Sequence, residues 1–150
     1  RTKQDLKEDK PLRGYHILLA EDNEINMEIA EFYLEEAGAQ VTKAWNGREA
    51  VEIFENSEPG YFDVILMDLM MPVMGGLEAA QCIRKLERED AKTVPIIAMT
   101  ANAFADDEER SLAAGMDAHI SKPLDAEKLI QVISDICKKR KEHAKGDTDI

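Results

Sequence analysis

The stretch "VILMDLMMPVMGG" (residues 64–76) runs from a strand-like, almost wholly apolar segment into a single carboxylate, Asp68, and on through methionines and a proline to a glycine pair. A short, continuously apolar run bounded by turn residues suits a strand covered on both faces, as in a parallel sheet. Such a strand holds the backbone of Asp68 rigidly. Pro72, Gly75 and Gly76 suit the tight turn that leads into a following helix. Met67, Met70, Met71 and Met74 are read as packing, because soft thioethers do not share a metal with hard carboxylates.

Outward from this segment, apolar strand followed by amphipathic helix recurs five times between residues 16 and 137. That alternation predicts an α/β fold, a five-stranded parallel sheet with five helices on its two faces. The strands are "HILLA" (16–20), "QVTKA" (40–44), "DVILM" (63–67), "PIIAM" (95–99) and "AHIS" (118–121), the third and fourth being central. The first helix begins near Glu24 and closes at Gly38, the second is capped by Asn46, and the fourth, opening on "ADDEER", closes at Gly115. Leu129, Val132, Ile133 and Ile136 place the apolar stripe of the last helix against the sheet after a turn at Pro123.

A chain of 150 residues, 44% hydrophobic and 33% charged, builds one domain with one core. We read residues 1–14 as linker, 15–138 as the domain and 139–150 as a C-terminal tail. Residues 1–15 and 138–150 each carry five basic and three acidic side chains, which leaves nine basic against 25 acidic residues in between. That acidic body repels phosphodiester backbones, so nucleic acid is excluded as a partner. The basic run "CKKRKEHAK" is read as a solvated helix end. No apolar stretch approaches a membrane span and the N-terminal residues do not pattern as a secretion signal, so a cytoplasmic domain without direct membrane contact is expected. Cys82 and Cys137 read as reduced core thiols. Oligomeric state has no signature in the pattern.

Parallel strands end on one edge of their sheet, and the connections there line the crevice where such folds place their chemistry. Glu21 and Asp22 follow the first strand, Asp68 the third, Thr100 and Ala101 the fourth, and Lys122 and Pro123 the fifth. A lone acid at a strand end is ordinarily a turn or cap residue. Three converging on a lysine call for protons or a cation, and magnesium, with its preference for oxygen ligands, answers that need. A carboxylate such as Asp68 can then attack phosphorus to give an acyl phosphate, with Lys122 and the Thr100 hydroxyl binding phosphoryl oxygens and small Ala101 leaving room.

Through "LLAEDN" (18–23), "VILMDLMMPVMGG", "IIAMTANA" (96–103) and "ISKP" (120–123), the chain resembles the receiver domain of two-component response regulators over residues 15–138. The resemblance implies the doubly wound, flavodoxin-like strand order 2-1-3-4-5. It implies Asp68 as phosphoacceptor, Glu21 and Asp22 as the acidic pair, the Met70 backbone carbonyl as a further Mg2+ ligand, and a phosphoryl contact from the backbone of Ala101. It further implies Thr100 as switch hydroxyl, Lys122 as the phosphoryl-binding lysine with a cis Lys122–Pro123 bond, and a tuning of hydrolysis by Met70 and Asn102. His119 departs from the common pattern, which has tyrosine or phenylalanine three residues before the lysine. It is read either as a packing residue or as a switch with pH sensitivity.

"LRGYHILLAEDNEINMEIAEFYLEEAG" (12–38) and "MTANAF" (99–104) are most similar to receivers fused to hybrid sensor histidine kinases. The implied partner is a kinase phosphohistidine domain or a histidine phosphotransfer protein, and the implied catalysis is limited to the domain's own phosphorylation and dephosphorylation. A stand-alone receiver is the alternative. A phosphatase of the haloacid dehalogenase type needs an aspartate two positions after the nucleophile, where this chain has Met70. A degenerate, binding-only receiver is disfavoured because acidic pair, acceptor and lysine are all present. "EDNEIN" (21–26) would repel a flavin phosphate, and no glycine-rich nucleotide loop occurs.

Overall fold

The computed structural model describes residues 10–101 and 105–148. Five strands, β1 (His16–Ala20), β2 (Gln40–Ala44), β3 (Val64–Asp68), β4 (Ile96–Thr100) and β5 (Ala118–Ser121), form one parallel sheet in the order β2-β1-β3-β4-β5. This is the doubly wound arrangement implied by the resemblance. Strand alternation sorts the core into two layers. Leu18, Ala20, Ile65, Met67, Ile96 and Ala98 pack on the face covered by α2 (Gly47–Asn56), α3 (Gly76–Arg84) and the short α4 (Glu89–Thr93). Ile17, Leu19, Val64, Leu66, Ile97, Met99 and Ile120 pack on the other, covered by α1 (Glu24–Glu36) and α6 (Ala126–Thr148). Helix α5 (Ala105–Ala113) leads into β5. Among the described residues no helix is long and apolar enough to cross a membrane.

Local chemistry explains the element boundaries. Asn23 and Asn46 cap α1 and α2, their side-chain oxygens accepting the Asn26 and Glu49 amides at 3.0 and 2.9 Å. Gly38, with φ +102°, supplies the left-handed turn after α1.

The structure differs from the sequence reading at several boundaries. Strands β3 and β4 begin and end one residue later than expected. Asp63 is drawn out of the strand, its carboxylate accepting the His16 amide at 2.8 Å. Among the described residues there are six helices rather than five, the addition being α4, whose five residues are too few to show a period and bury only Ala91. Leu12, within the expected linker, is fully buried and donates its N–H to the Ala37 carbonyl at 2.8 Å. Helix α6 continues to Thr148, because "KKRKEHAK" contains good helix formers without proline or glycine before Gly146.

Arg88 locks α4 onto α2. Its guanidinium sits 4.6 Å from the Phe54 ring centroid, donates to the Phe54, Glu55 and Ser57 carbonyls at the open end of α2, and grips Asp90 through two bonds of 2.6 and 2.7 Å. Those carbonyls are the ones a helix C-terminus leaves without intrahelical partners.

Candidate functional site

Strand placement brings most of the expected residues to one edge of the sheet. Register pairs Ala20 with Met67, Asp68 with Met99 and Thr100 with Ser121, so the residues at or just beyond these ends share one crevice. Asp68 and Thr100 are the last residues of their strands rather than the first beyond them. Their backbones are therefore fixed by the sheet ladder. Glu21 and Asp68 are 2% and 4% exposed, Thr100 is also buried, and Asp22 lies open to solvent.

One carboxylate oxygen from each of Glu21, Asp22 and Asp68 lies within 4.8 Å of the other two. The Lys122 ammonium donates to Glu21 Oε2 at 2.7 Å and to Asp68 Oδ2 at 3.0 Å. The other oxygens are oriented by the backbone, since Asn23 N–H donates to Glu21 Oε1 at 3.2 Å and Met70 N–H to Asp68 Oδ1 at 3.3 Å. Burial is the main influence on Asp68; with the neighbouring Glu21 charge it outweighs the Lys122 contact and pushes the carboxyl up to about 6. Burial also acts against the charge on Lys122, but its hydrogen bonds to Glu21 and Asp68 prevail and hold the ammonium above the ordinary lysine value.

The loop after β3 is shaped by close approach. Gly76 opens α3 directly over the end of β3, where a Cβ would collide with the Asp68 carbonyl oxygen. The positive φ in this loop falls on Val73, at +68°, and not on either glycine. The sequence signal for Gly75 and Gly76 was sound, but its cause at Gly76 is space.

Met70 is 80% exposed in that loop, and Ala101 is exposed immediately after β4. The Lys122–Pro123 peptide bond is cis. Lys122 is held from behind by its own N–H, which donates to the Thr100 carbonyl at 2.8 Å. His119 is half-buried beside Ala98 in β5, away from the acidic cluster, and lines a small depression with Ser111, Leu112 and Met116 next to α5. Asn102 lies outside the described residues. Sequence reading missed a groove of about 150 Å³ beside Lys122, formed by Asn26, Ile29, Tyr33, Pro123 and Leu124. Its signal was available: α1 has apolar residues on more than one helical face.

The donor set fits a hard divalent cation. Three carboxylates each offer an oxygen, one ammonium bridges two of them, and the exposed side of Asp22 leaves space for water ligands. An acidic, lysine-bridged crevice at the carboxyl edge of a doubly wound sheet is suited to holding a hard cation together with an anionic phosphoryl group.

The response regulator receiver domain model matches residues 17–134. The chain belongs to that family, and it is accordingly a phosphoacceptor domain of two-component phosphorelays. It is 38% identical over 151 aligned positions to a probable histidine kinase 2 of Oryza sativa subsp. indica, an alignment covering 92% of this chain and 14% of that protein. The chain thus spans about a seventh of that relative's length. Among solved structures it is similar to the receiver domain of the sensor histidine kinase PA1611 from Pseudomonas aeruginosa, with a magnesium ion coordinated in the active-site cleft (TM-score 0.75, 38% identity, 83% of this chain and 98% of that one). It is also similar to the receiver domain of the response regulator Ssk1, co-crystallised with the histidine phosphotransfer protein Ypd1 of Saccharomyces cerevisiae (TM-score 0.74, 32% identity, 82% and 88% covered).

Proposed function

We propose that Asp68 is the acceptor of a phosphoryl group delivered by a phosphohistidine, and that the chain is the receiver module of a hybrid sensor histidine kinase working in the cytoplasm. The observation that carries this reading is the Lys122 ammonium bridging Glu21 and Asp68 within a cluster of three carboxylates. A carboxylate so placed is fixed and aimed. Asp68 attacks phosphorus as the bond from phosphorus to the donor imidazole nitrogen breaks, and the nitrogen leaves with the electron pair.

Glu21, Asp22 and Asp68, with the Met70 carbonyl, would hold Mg2+, which supplies positive charge against the phosphoryl oxygens. Lys122 exchanges its contact with the free carboxylate for one with a phosphoryl oxygen. The Thr100 hydroxyl and the Ala101 N–H bind the remaining oxygens. Thr100 then transmits the change through its neighbour β5, where His119 faces α5.

The test is intact mass after incubation with Mg2+ and acetyl phosphate. One added phosphoryl group is expected, absent in Asp68→Asn and absent with chelator. A phosphoryl group retained in Asp68→Asn refutes the assignment.

A further inference from the structure

The chain holds seven methionines, and six of them serve the core. Met27, Met67, Met99 and Met116 are buried, and Met71 and Met74 are half-buried against the core layer under α2 and α3. Met70 is the exception. At 80% it is the most exposed large apolar side chain among the described residues, so it does not pack as its sequence neighbours do. The two thiols are withdrawn as well, Cys137 being buried and Cys82 half-buried. A thioether reacts with peroxide without first losing a proton, and exposure therefore decides which methionine is oxidised first.

The one open thioether stands at the acceptor. Met70 N–H donates to Asp68 Oδ1 at 3.3 Å, in the loop that leaves the sheet where Glu21, Asp22 and Asp68 gather. Asp68 is 4% exposed and ends its strand, so a phosphoryl group added to it lies on its solvent side. Water that hydrolyses an acyl phosphate at phosphorus attacks from the side away from the carboxylate, which here is the mouth of the crevice. A thioether beside that path is a weak acceptor and holds water poorly. A sulfoxide on the same side chain is polar and accepts hydrogen bonds strongly.

We propose that Met70 is a site of reversible oxidation by hydrogen peroxide, and that its sulfoxide shortens the life of the acyl phosphate on Asp68. A lone pair on sulfur attacks one peroxide oxygen, and the O–O bond breaks as the S–O bond forms. The departing hydroxide takes the proton from the transferred oxygen and leaves as water. Sulfur gives up two electrons and peroxide gains them. This rests on Asp68 being the acceptor, and adds an oxidative input that acts on the phosphorylated state without passing through a donor histidine. Methionine sulfoxide reductases would return the side chain to its first state.

The test exposes the folded wild type to limiting hydrogen peroxide and locates the added oxygen by peptide mass. Met70 is expected to gain it before any other side chain. Untreated and oxidised proteins are then labelled with acetyl phosphate and Mg2+, the donor is removed, and loss of the label is followed by intact mass. Oxidation is expected to shorten the half-life by about threefold or more, and methionine sulfoxide reductases to restore it. Met70→Gln, whose amide oxygen stands in for the sulfoxide, is expected to show the short half-life without peroxide. Met70→Leu is expected to keep one half-life before and after peroxide. A first oxygen on another side chain overturns the site, and equal half-lives for untreated and oxidised wild type overturn its effect. Peroxide that shortens the half-life equally in Met70→Leu overturns it too. Failure of acetyl phosphate to label the untreated chain strikes at the acceptor assignment instead, while the peptide masses still read the oxidation by themselves.

Discussion

Replacing Asp68 by asparagine should make the metal-free protein more stable. In the folded chain this carboxyl is pushed from 3.8 up to about 6, chiefly by burial and further by the charge of Glu21, and Lys122 only partly offsets these. Ionising it in the fold therefore costs about 3 kcal/mol relative to the unfolded chain, at about 1.4 kcal/mol per pH unit. The sign follows from the order of the two values. Below pH 3.8 both states hold the proton and there is no penalty. Between 3.8 and about 6 the unfolded chain releases it first, and above about 6 the penalty is complete. Asparagine resembles the protonated side chain in shape and charge, so Asp68→Asn should gain up to about 3 kcal/mol at pH 7.5 and nothing near pH 3.5. Urea unfolding of both proteins in chelator, repeated from pH 3.5 to 8, measures the difference. Saturating Mg2+ should narrow the gap at pH 7.5, since a ligand at a hundredfold its dissociation constant adds about 2.7 kcal/mol to the wild type alone. Equal stability at pH 7.5 in chelator, or a wild type that is the more stable of the two, refutes the argument.

Two further substitutions probe the frame around the site. Gly76→Ala should destabilise the fold by about 1–3 kcal/mol and slow labelling by acetyl phosphate, because its Cβ meets the Asp68 carbonyl and displaces the strand end; the urea midpoint and the labelling rate report the two effects. Asp90→Ala removes both bonds to Arg88 and the one accepted from Gly60 N–H at 2.9 Å, and should cost about 2 kcal/mol at pH 7. The Arg88 hydrogen bond holds the Asp90 carboxyl below its usual value, so this contribution is complete above about pH 4 and shrinks as pH falls through the depressed folded-state value; a difference between wild type and variant that did not shrink as pH was lowered below about 4 would contradict it.

Legibility in the sequence followed the range of the interactions. The strands at 16–20, 40–44 and 118–121 were read to the residue, because apolar runs between turn residues are local patterns. The gathering of Glu21, Asp22, Asp68 and Lys122 in one crevice was legible for the same reason, each lying at or just beyond the end of such a run. The single-residue slips at 63 and 95 arose where a tertiary contact intervened, as in the hold of the Asp63 carboxylate on the His16 amide. Arg88 was invisible because its partners lie 31 to 34 positions away, and nothing near residue 88 marks a guanidinium that closes another helix. Val73 was missed because a β-branched residue gives no warning of a positive φ. The outer face of α1 was written in the sequence, yet a reading that assigns one buried stripe to each helix passes over a second.

These observations meet in one property of the acceptor corner. A fold selected only for stability would not bury two carboxylates beside a third with a single ammonium between them, because the uncompensated charge opposes folding. The same excess charge makes the corner responsive. On the proposed function a cation would relieve it, and an added phosphoryl group would rearrange it by drawing Lys122 away from Asp68. On that reading the energy available to shift β5 would be the difference between these arrangements, and the strand ends would confine that difference to the few side chains able to move. Stability withheld at Asp68 is thus coupled directly to the signal. A variant such as Asp68→Asn should be firmer in the fold because the buried charge is gone, and unresponsive to the donor because the attacking carboxylate is gone with it.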